Sequence, residues 1–93
     1  MIYEIKETAA YKRGYKRMKK RGVDMSELDR VINELKFGRK LAEKYQDHAL
    51  KGDRAGTREC HIRPDWLLVY TFANDVLVLT LLNTGTHSEL LRI

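Results

Sequence analysis

The sequence predicts an α+β fold in which a helical hairpin packs on one face of a small, mainly antiparallel sheet. Two observations support this prediction. Apolar residues recur at helical spacing through the first forty positions, and segments rich in β-branched and aromatic residues follow from residue 57. The chain has 93 residues, of which 43% are hydrophobic. That length supplies one hydrophobic core, so residues 1–93 are predicted to form a single domain.

The first half of the chain is predicted to hold one short strand and two helices. Residues 2–5 favour a strand, because Ile and Tyr suit a pleated surface. Thr8 can cap a helix that covers residues 8–21. Asp24 starts a second helix, over residues 24–38, because a Glu three residues later completes a capping box.

The second half is predicted to be mainly strands. Residues 41–45 can add a helical turn before them. The predicted strands are residues 57–63, 66–73 and 76–83. Asn74-Asp75 is expected to turn the last two into a hairpin, and both read as central strands because nearly every position is apolar. Residues 86–91 fit either a short helix or a fifth strand.

Basic residues concentrate in one segment of the chain. The net charge is +5, yet residues 1–40 hold twelve Lys and Arg against six Asp and Glu, while residues 41–93 hold six against seven. The segment 12–21 contains seven basic residues and no acid. Such a segment indicates an anionic partner, such as nucleic acid, an anionic membrane or an acidic protein.

Other features exclude several classes of protein. The single Cys60 cannot form an intramolecular disulfide, and on an apolar strand face it is expected to be a buried hydrophobe. The first residues lack an apolar signal region, and no apolar run is long enough to span a membrane, so a cytoplasmic protein without a membrane partner is expected. The spacing of the histidines matches no compact metal site.

Three histidines in the second half are the candidates for chemistry. His61 and Asp65 bracket one end of a strand pair, and side chains from several strand ends, including His48 and His87, can meet on an open sheet face. Imidazoles transfer protons near neutral pH, which suits cleavage of RNA by its own 2′-hydroxyl. Trp66 offers a stacking face for a base, with core packing as the alternative role.

Three motifs in order resemble the YafQ branch of the RelE/ParE toxin superfamily. They are Asp47-His48-x-Leu50-x-Gly52, then His61-x-x-Pro64-Asp65-Trp66-Leu67-Leu68-Val69-Tyr70, then Thr84-Gly85-Thr86-His87-Ser88-Glu89-Leu90. Their order and spacing match through most of the second half, and the preceding strand and helical hairpin agree with the same fold. The resemblance therefore rests on three separated motifs rather than on one.

This resemblance implies a type II toxin that acts as a ribosome-dependent mRNA endoribonuclease without a metal or another cofactor. It implies a cognate antitoxin of the DinJ or RelB type, whose acidic segment wraps the toxin. The family's active site falls on His48, His61, Asp65 and His87, with His87 as the general acid and with Asp65 and His61 activating the 2′-hydroxyl or holding the phosphate. Expected substrate contacts are Arg63, Trp66 and Leu91. Expected contacts to ribosomal RNA are Lys12, Arg13, Lys16, Lys19 and Lys20.

One position departs from the family pattern, and two other functions stay open. Leu91 stands where the family has a Phe, and Leu cannot stack as an aromatic ring does. A non-enzymatic gyrase inhibitor on the same scaffold, like the ParE relatives, is one alternative, although it has no need of acid–base groups. The other is an RNA-binding but inactive toxin.

Overall fold

The structure, a computed structural model, describes residues 1–90 and contains eight helices and strands within them. In chain order they are β1 (Glu4–Glu7), α1 (Ala9–Lys20), α2 (Ser26–Lys36), β2 (His48–Ala49), β3 (Arg58–Arg63), β4 (Trp66–Ala73), β5 (Val78–Gly85) and α3 (His87–Leu90). Short 3₁₀ turns lie before and after β2, at Glu43–Tyr45 and Gly52–Arg54.

The strands form one sheet in the order β1-β5-β4-β3-β2. β1 pairs with β5 in parallel, and the other neighbouring strands pair antiparallel. α1 and α2 pack together against one face of this sheet. The predicted fold class, a helical hairpin on a mainly antiparallel sheet, is therefore confirmed, and of the two possibilities for the last element the short helix is the one observed.

The main core lies between the two helices and the sheet. Leu28, Val31 and Leu35 of α2 are buried there against strand residues such as Leu68 and Tyr70. The three α2 residues follow the helical spacing predicted from the sequence, which places them on one face of the helix. This packing leaves the opposite face of the sheet without a long helix over it.

α1 begins and packs as the sequence predicts. The hydroxyl of Thr8 caps the helix by accepting a hydrogen bond from the backbone N–H of Tyr11 at 3.0 Å. The same hydroxyl donates to the carbonyl of Leu82 at 2.7 Å, which ties the start of the helix to β5. Gly14 faces β5 so closely that a Cβ at this position would overlap the carbonyl oxygen of Thr84. Close helix–strand approach therefore depends on Gly14.

The start of α2 differs from the predicted capping box. Asp24 Oδ1 accepts hydrogen bonds from the backbone N–H and the hydroxyl of Ser26, at 3.0 and 2.7 Å. Glu27 instead forms an ion pair with Arg63, with 2.9 Å between Oε1 and Nη2. The capping box does not form because a residue distant in the sequence binds its second carboxylate.

Two strand boundaries also differ from the prediction. β1 lies two residues later than residues 2–5, because its register with β5 begins where Glu4 pairs with Val78. The turn before β5 spans residues 74–77 rather than two residues, so β5 starts at Val78 and ends at Gly85. Leu77 takes a left-handed conformation in this turn, with φ 51°.

The second face of the sheet carries a smaller apolar cluster. Leu67 and Val69 of β4 are buried there against Leu90 of α3, with Leu50 and Leu82 partly buried beside them. Both faces of the central strands are therefore covered, as predicted. Two long helices cover one face, and only a small apolar cluster with α3 covers the other. Within residues 1–90, no helix is long and apolar enough to cross a membrane.

Candidate active site

Three histidines form a row on the thinly covered face of the sheet. His48 lies on β2, His61 on β3, and His87 is the first residue of α3. The ring centroids of His48 and His61 are 6.3 Å apart, and those of His61 and His87 are 5.5 Å apart. We call His48, His61 and His87 the histidine row.

Strand pairing explains why His61 faces away from α1 and α2. His61 pairs directly with Leu67, and directly opposed residues of an antiparallel pair share a face. Leu67 belongs to the smaller apolar cluster. The adjacent Cys60 points the other way and is fully buried in the main core, where burial raises the pKa of its thiol to about 12. Cys60 therefore presents no thiolate for nucleophilic chemistry at neutral pH.

His87 is oriented by Asp65. The imidazole Nδ1 and the backbone N–H of His87 both lie within hydrogen-bond distance of Asp65 Oδ1, at 2.7 and 3.0 Å. The backbone N–H first, and then the imidazole, lower the pKa of Asp65 below its ordinary value. Asp65 is thus an ionised acceptor at neutral pH, and the Nε2 atom of His87 is left for other partners.

Both ring nitrogens of His48 face oxygen atoms. Its Nδ1 lies 2.7 Å from the carbonyl oxygen of Gln46, and its Nε2 lies 3.5 Å from Glu59 Oε1. Glu59 is the residue that pairs with His48 across β2 and β3. Because a carbonyl can only accept, Nδ1 is the protonated nitrogen of neutral His48 and Nε2 carries the lone pair.

A partly buried network holds β2 in place next to His48. The carboxylate of Asp47 accepts a hydrogen bond from Arg58 Nη2 at 2.9 Å and another from the hydroxyl of Tyr70. Both donors stand on the central strands, so the residue before His48 is fixed to the body of the sheet. The pKa of Tyr70 is raised by burial and by this carboxylate, which keeps its hydroxyl protonated as a donor.

His61 differs from the other two imidazoles. Its Nδ1 is buried and, among the atoms that the structure describes, has no hydrogen-bond partner. Leaving a buried N–H donor unpaired costs about 1–3 kcal/mol, and a cation at that position costs more. Neutral His61 with its proton on Nε2 avoids a buried unpaired N–H at Nδ1.

An open cleft of about 420 Å³ lies beside the histidine row. His61 and His87 line it together with Lys44 and Arg63. Arg63 is held by its ion pair with Glu27, whereas the ammonium group of Lys44 lies 5.0 Å from the ring centroid of its neighbour Tyr45. A cleft with two cations and two imidazoles has the donors that a phosphodiester requires.

The structure separates the other predicted site residues from this cluster. Trp66 is 3% exposed in the main core, and its indole N–H donates to the hydroxyl of Thr84 at 3.0 Å. The ring is therefore not available for base stacking, and core packing is its observed role. Leu91 lies outside the described residues. The five basic residues predicted to contact ribosomal RNA are all exposed on α1: Lys12, Arg13, Lys16, Lys19 and Lys20.

Three residues of the site were not predicted from the sequence. Glu59 lies two residues before His61 on the same strand, and strand alternation places both side chains on one face. This alternation is a sequence signal that could have identified Glu59. Gln46 and Lys44 belong to the irregular segment before β2, where no periodic pattern shows which way a side chain points. Within residues 1–90, no three His, Cys, Asp or Glu side chains are arranged to hold a metal ion.

Comparisons with known proteins agree with this geometry. A family model described as "Bacterial toxin of type II toxin-antitoxin system, YafQ" matches residues 3–92. The chain is 33% identical over 88 residues to the mRNA interferase toxin YafQ of Escherichia coli K12, and the match covers 94% of each protein. Two crystal structures are also similar. The E. coli DinJ–YafQ complex has a TM-score of 0.88 at 32% identity and covers 97% of this chain and 98% of that one. A metal-bound toxin from Helicobacter pylori has a TM-score of 0.89 at 39% identity and covers 97% and 99%.

The fold and the site together define a small toxin domain of the RelE type. Its features are a parallel pair formed by β1 and β5, a helical hairpin on one face of the sheet and a row of imidazoles on the other. The match along nearly the whole chain narrows this class. The chain belongs to the YafQ family of toxins from type II toxin–antitoxin systems.

Proposed function

We propose that this toxin cleaves mRNA on the ribosome, in the A site, and that its histidines and carboxylates supply the acid and the base. The main support is the arrangement of the site, in which two imidazole–carboxylate pairs flank a third imidazole beside a cationic cleft. The relative in E. coli is named an mRNA interferase. The reaction needs no metal, because protein groups serve both proton transfers.

The proposed reaction is attack by a ribose 2′-oxygen on the adjacent phosphorus. A new bond forms between phosphorus and the 2′-oxygen, and the bond from phosphorus to the 5′-oxygen breaks. One proton leaves the 2′-hydroxyl and another reaches the departing 5′-oxygen. The products carry a 2′,3′-cyclic phosphate and a 5′-hydroxyl group.

His87 is assigned as the general acid. Its Nδ1 faces the ionised carboxylate of Asp65, which stabilises the imidazolium form and leaves the Nε2 proton directed elsewhere. The cleft is lined by His87, so a leaving 5′-oxygen bound there lies within reach of that proton. Each such proton transfer contributes roughly 10²–10⁴-fold to the rate.

His48 is assigned as the base and His61 as a phosphate donor. The Nε2 lone pair of His48 can accept the 2′-hydroxyl proton, and Glu59 at 3.5 Å stabilises the imidazolium that results. His61 keeps its lone pair on the buried Nδ1, so its Nε2 proton is a hydrogen-bond donor for a phosphate oxygen. Lys44 and Arg63 add positive charge at the same cleft.

Two macromolecular partners complete the proposal. The basic side chains of α1, Lys12, Arg13, Lys16, Lys19 and Lys20, bind phosphates of ribosomal RNA while the histidine row acts on the message. A cognate antitoxin with an acidic segment neutralises the toxin, as the similarity to the toxin of the DinJ–YafQ complex supports. The proposed place of action is the cytoplasm.

His87→Ala is expected to lower cleavage of mRNA on programmed ribosomes by roughly 10²–10⁴-fold while leaving ribosome binding intact, because only the acid is lost. Asp65→Asn is expected to lower it as well, because a neutral amide does not stabilise an imidazolium. Both are measured by mapping mRNA ends with and without ribosomes and by sedimentation of the toxin with ribosomes. Asp75→Asn, in the exposed turn before β5, is the matched carboxylate control.

Three results would contradict the proposal. Full cleavage by His87→Ala removes the assigned acid. A toxin that is stripped with EDTA, returned to ribosomes in Mg²⁺ buffer and active only after a transition metal is added removes the metal-independent chemistry. Induced cells that show DNA breaks with translation intact would instead support a gyrase inhibitor of the ParE type.

A further inference from the structure

Glu89 is the most heavily contacted carboxylate near the histidine row, and no role above uses it. Its Oε2 lies 2.5 Å from Arg17 Nε and 2.6 Å from Arg21 Nη2. Its Oε1 accepts from Arg21 Nη1 at 3.1 Å and from the backbone N–H of Thr86 at 2.9 Å. The hydroxyl of Thr86 also donates to it, at 3.0 Å. Glu89 thus joins α1 to the start of α3.

Within residues 1–90, α3 has few contacts that fix its place. The structure describes four residues of it, and short isolated helices are not stable in water, so its place depends on contacts with the rest of the protein. Among the described residues, its other anchors are the burial of Leu90, a hydrogen bond from Arg54 Nη2 to the carbonyl of Leu90 at 3.0 Å, and the contacts of His87 with Asp65. The two contacts of Leu90 hold the end of the described helix, whereas Glu89 is the link between its first turn and α1.

The position of that first turn determines the contact between His87 and Asp65. Both the backbone N–H and the ring of His87 meet the same oxygen, Asp65 Oδ1. A small rotation of α3 breaks both contacts together. The side chain of His87 is 49% exposed, so surrounding packing does little to restrain the ring.

We propose that Glu89 is a positioning residue for His87: it joins α3 to Arg17 of α1 and to Arg21, the residue that follows α1, and thereby keeps the imidazole of His87 against Asp65. The catalytic consequence rests on the proposed function, whereas the structural consequence does not. In this proposal Arg17 and Arg21 differ in role from the lysines of α1. The two arginines bind Glu89 and so position α3, whereas the lysines contact RNA.

Glu89 does not serve as the base itself. Both of its oxygens already accept hydrogen bonds from the guanidinium of Arg21 or from Thr86. The hydrogen bond from Arg21 is the main reason that its pKa is lowered to about 2. A carboxylate so weakly basic and so fully bonded acts through its neighbours.

The test uses the three histidines as spectroscopic probes. The chain contains three histidines in total, so the imidazole signals are few and can be assigned. Proton–carbon NMR spectra of the free toxin report each imidazole, and His87 is assigned from the signal that His87→Gln removes. Glu89→Ala is expected to move the His87 signals most, to move those of His61 less because its ring centroid lies 5.5 Å from that of His87, and to leave those of His48 in place. Glu89→Gln keeps an acceptor for Thr86 and is expected to restore part of the change.

Cleavage kinetics on ribosomes give the second measurement. Glu89→Ala is expected to lower kcat by about 10²-fold at nearly constant KM, because a displacement on the order of 1 Å misplaces the acid without removing the substrate contacts. Glu34→Ala is the matched control, since it deletes an exposed ion pair with Arg39 on the other helix. Its spectra and its kcat are expected to equal those of the wild type.

Unchanged His87 signals in folded Glu89→Ala would overturn the inference, whatever the cleavage rate. If Glu89→Ala does not fold, Arg21→Ala removes the bidentate partner from outside α3, and unchanged His87 signals in that variant overturn the inference in the same way. Moved His87 signals in a toxin whose wild type does not cleave on ribosomes would support the positioning role and refute the proposed function.

Discussion

At the scale of single residues, hydrogen bonds and neighbouring charges lower the pKa of several carboxylates. Arg21, followed by Thr86 and Arg17, lowers the pKa of Glu89 from 4.5 to about 2. The pKa of Asp65 is lowered by the hydrogen bonds from His87, and the pKa of Asp24 is lowered by the hydrogen bonds from Ser26. Each of these groups binds its proton less tightly in the folded chain than in the unfolded one. Their contribution to folding is therefore complete above the unfolded pKa and is lost as the pH falls.

For Glu89 this linkage predicts a defined pH window. Its contribution is fully present above about pH 4.5 and is lost as the pH falls through about 2. Glu89→Gln is therefore expected to be less stable than the wild type at pH 7 and nearly equal to it near pH 2. Urea unfolding followed by circular dichroism at a series of pH values measures the difference. Glu34→Gln, in an exposed ion pair, serves as the control and is expected to show little difference at any pH. A stability gap for Glu89→Gln that is constant from pH 7 to 2 contradicts the assignment.

At the scale of elements, the contact between α1 and β5 sets the geometry of the site. Thr8 ties the start of α1 to Leu82, and Gly14 rests on the backbone at Thr84. Further along the same helix, Arg17 and Arg21 reach Glu89. One helix thus fixes the last strand and the short helix that follows it.

Gly14→Ala tests how tightly these two elements are packed. A Cβ at this position overlaps a backbone oxygen, which cannot move as a flexible side chain can, so we expect a loss of about 1–3 kcal/mol in the free energy of unfolding. Helix propensity alone predicts the opposite, a gain of about 1 kcal/mol. Denaturant unfolding decides the sign, and Lys16→Ala on the exposed side of α1 controls for propensity.

The accuracy of the sequence predictions also divides by element. The helices were predictable because their cap and apolar stripes are local signals, as Thr8 shows. The start of β5 was not, because Leu77 takes a left-handed conformation that favours glycine and therefore leaves no turn signal in the sequence. The capping box failed because Arg63, far along the chain, binds Glu27.

The candidate site follows the same division. The histidines could be predicted as a group, because strand ends and motifs place them on one face. Their partners could not, since Glu59 and Lys44 become neighbours of the histidine row only through tertiary packing. Trp66 had two possible roles in the sequence, and only its buried hydrogen bond to Thr84 separates them.

At the scale of the whole molecule, the positive charge separates into two sets with different partners. Arg17 and Arg21 are bound to Glu89 within the fold. The lysines of α1 are exposed and available to an external polyanion. The net charge of +5 does not show this division. Arg17 and Arg21 are neutralised within the fold, whereas the positive charge that can bind RNA is concentrated on the lysines of α1.

Reversing the charge at Lys16, Lys19 and Lys20 to Glu is expected to weaken ribosome association and to reduce its salt dependence. Each lysine that contacts a phosphate contributes a slope of about one in the plot of log K against log salt concentration. Sedimentation binding at several salt concentrations measures both effects. The same reversal at the exposed Lys6, Lys40 and Lys51 is the matched control for net charge. Equal losses in the two triple variants would show that α1 has no specific docking role.

The parallel pairing of β1 with β5 has a consequence for how the chain acquires its fold. Glu4 must find Val78, and Thr8 must find Leu82, so the first elements made gain their partners only after nearly all the others have been synthesised. Contacts of such long sequence separation slow folding, because a large loop must close before they form. His87 follows β5 directly in the chain. A nascent chain that ends before β5 lacks both the partner strand of β1 and His87, so it cannot hold the complete histidine row.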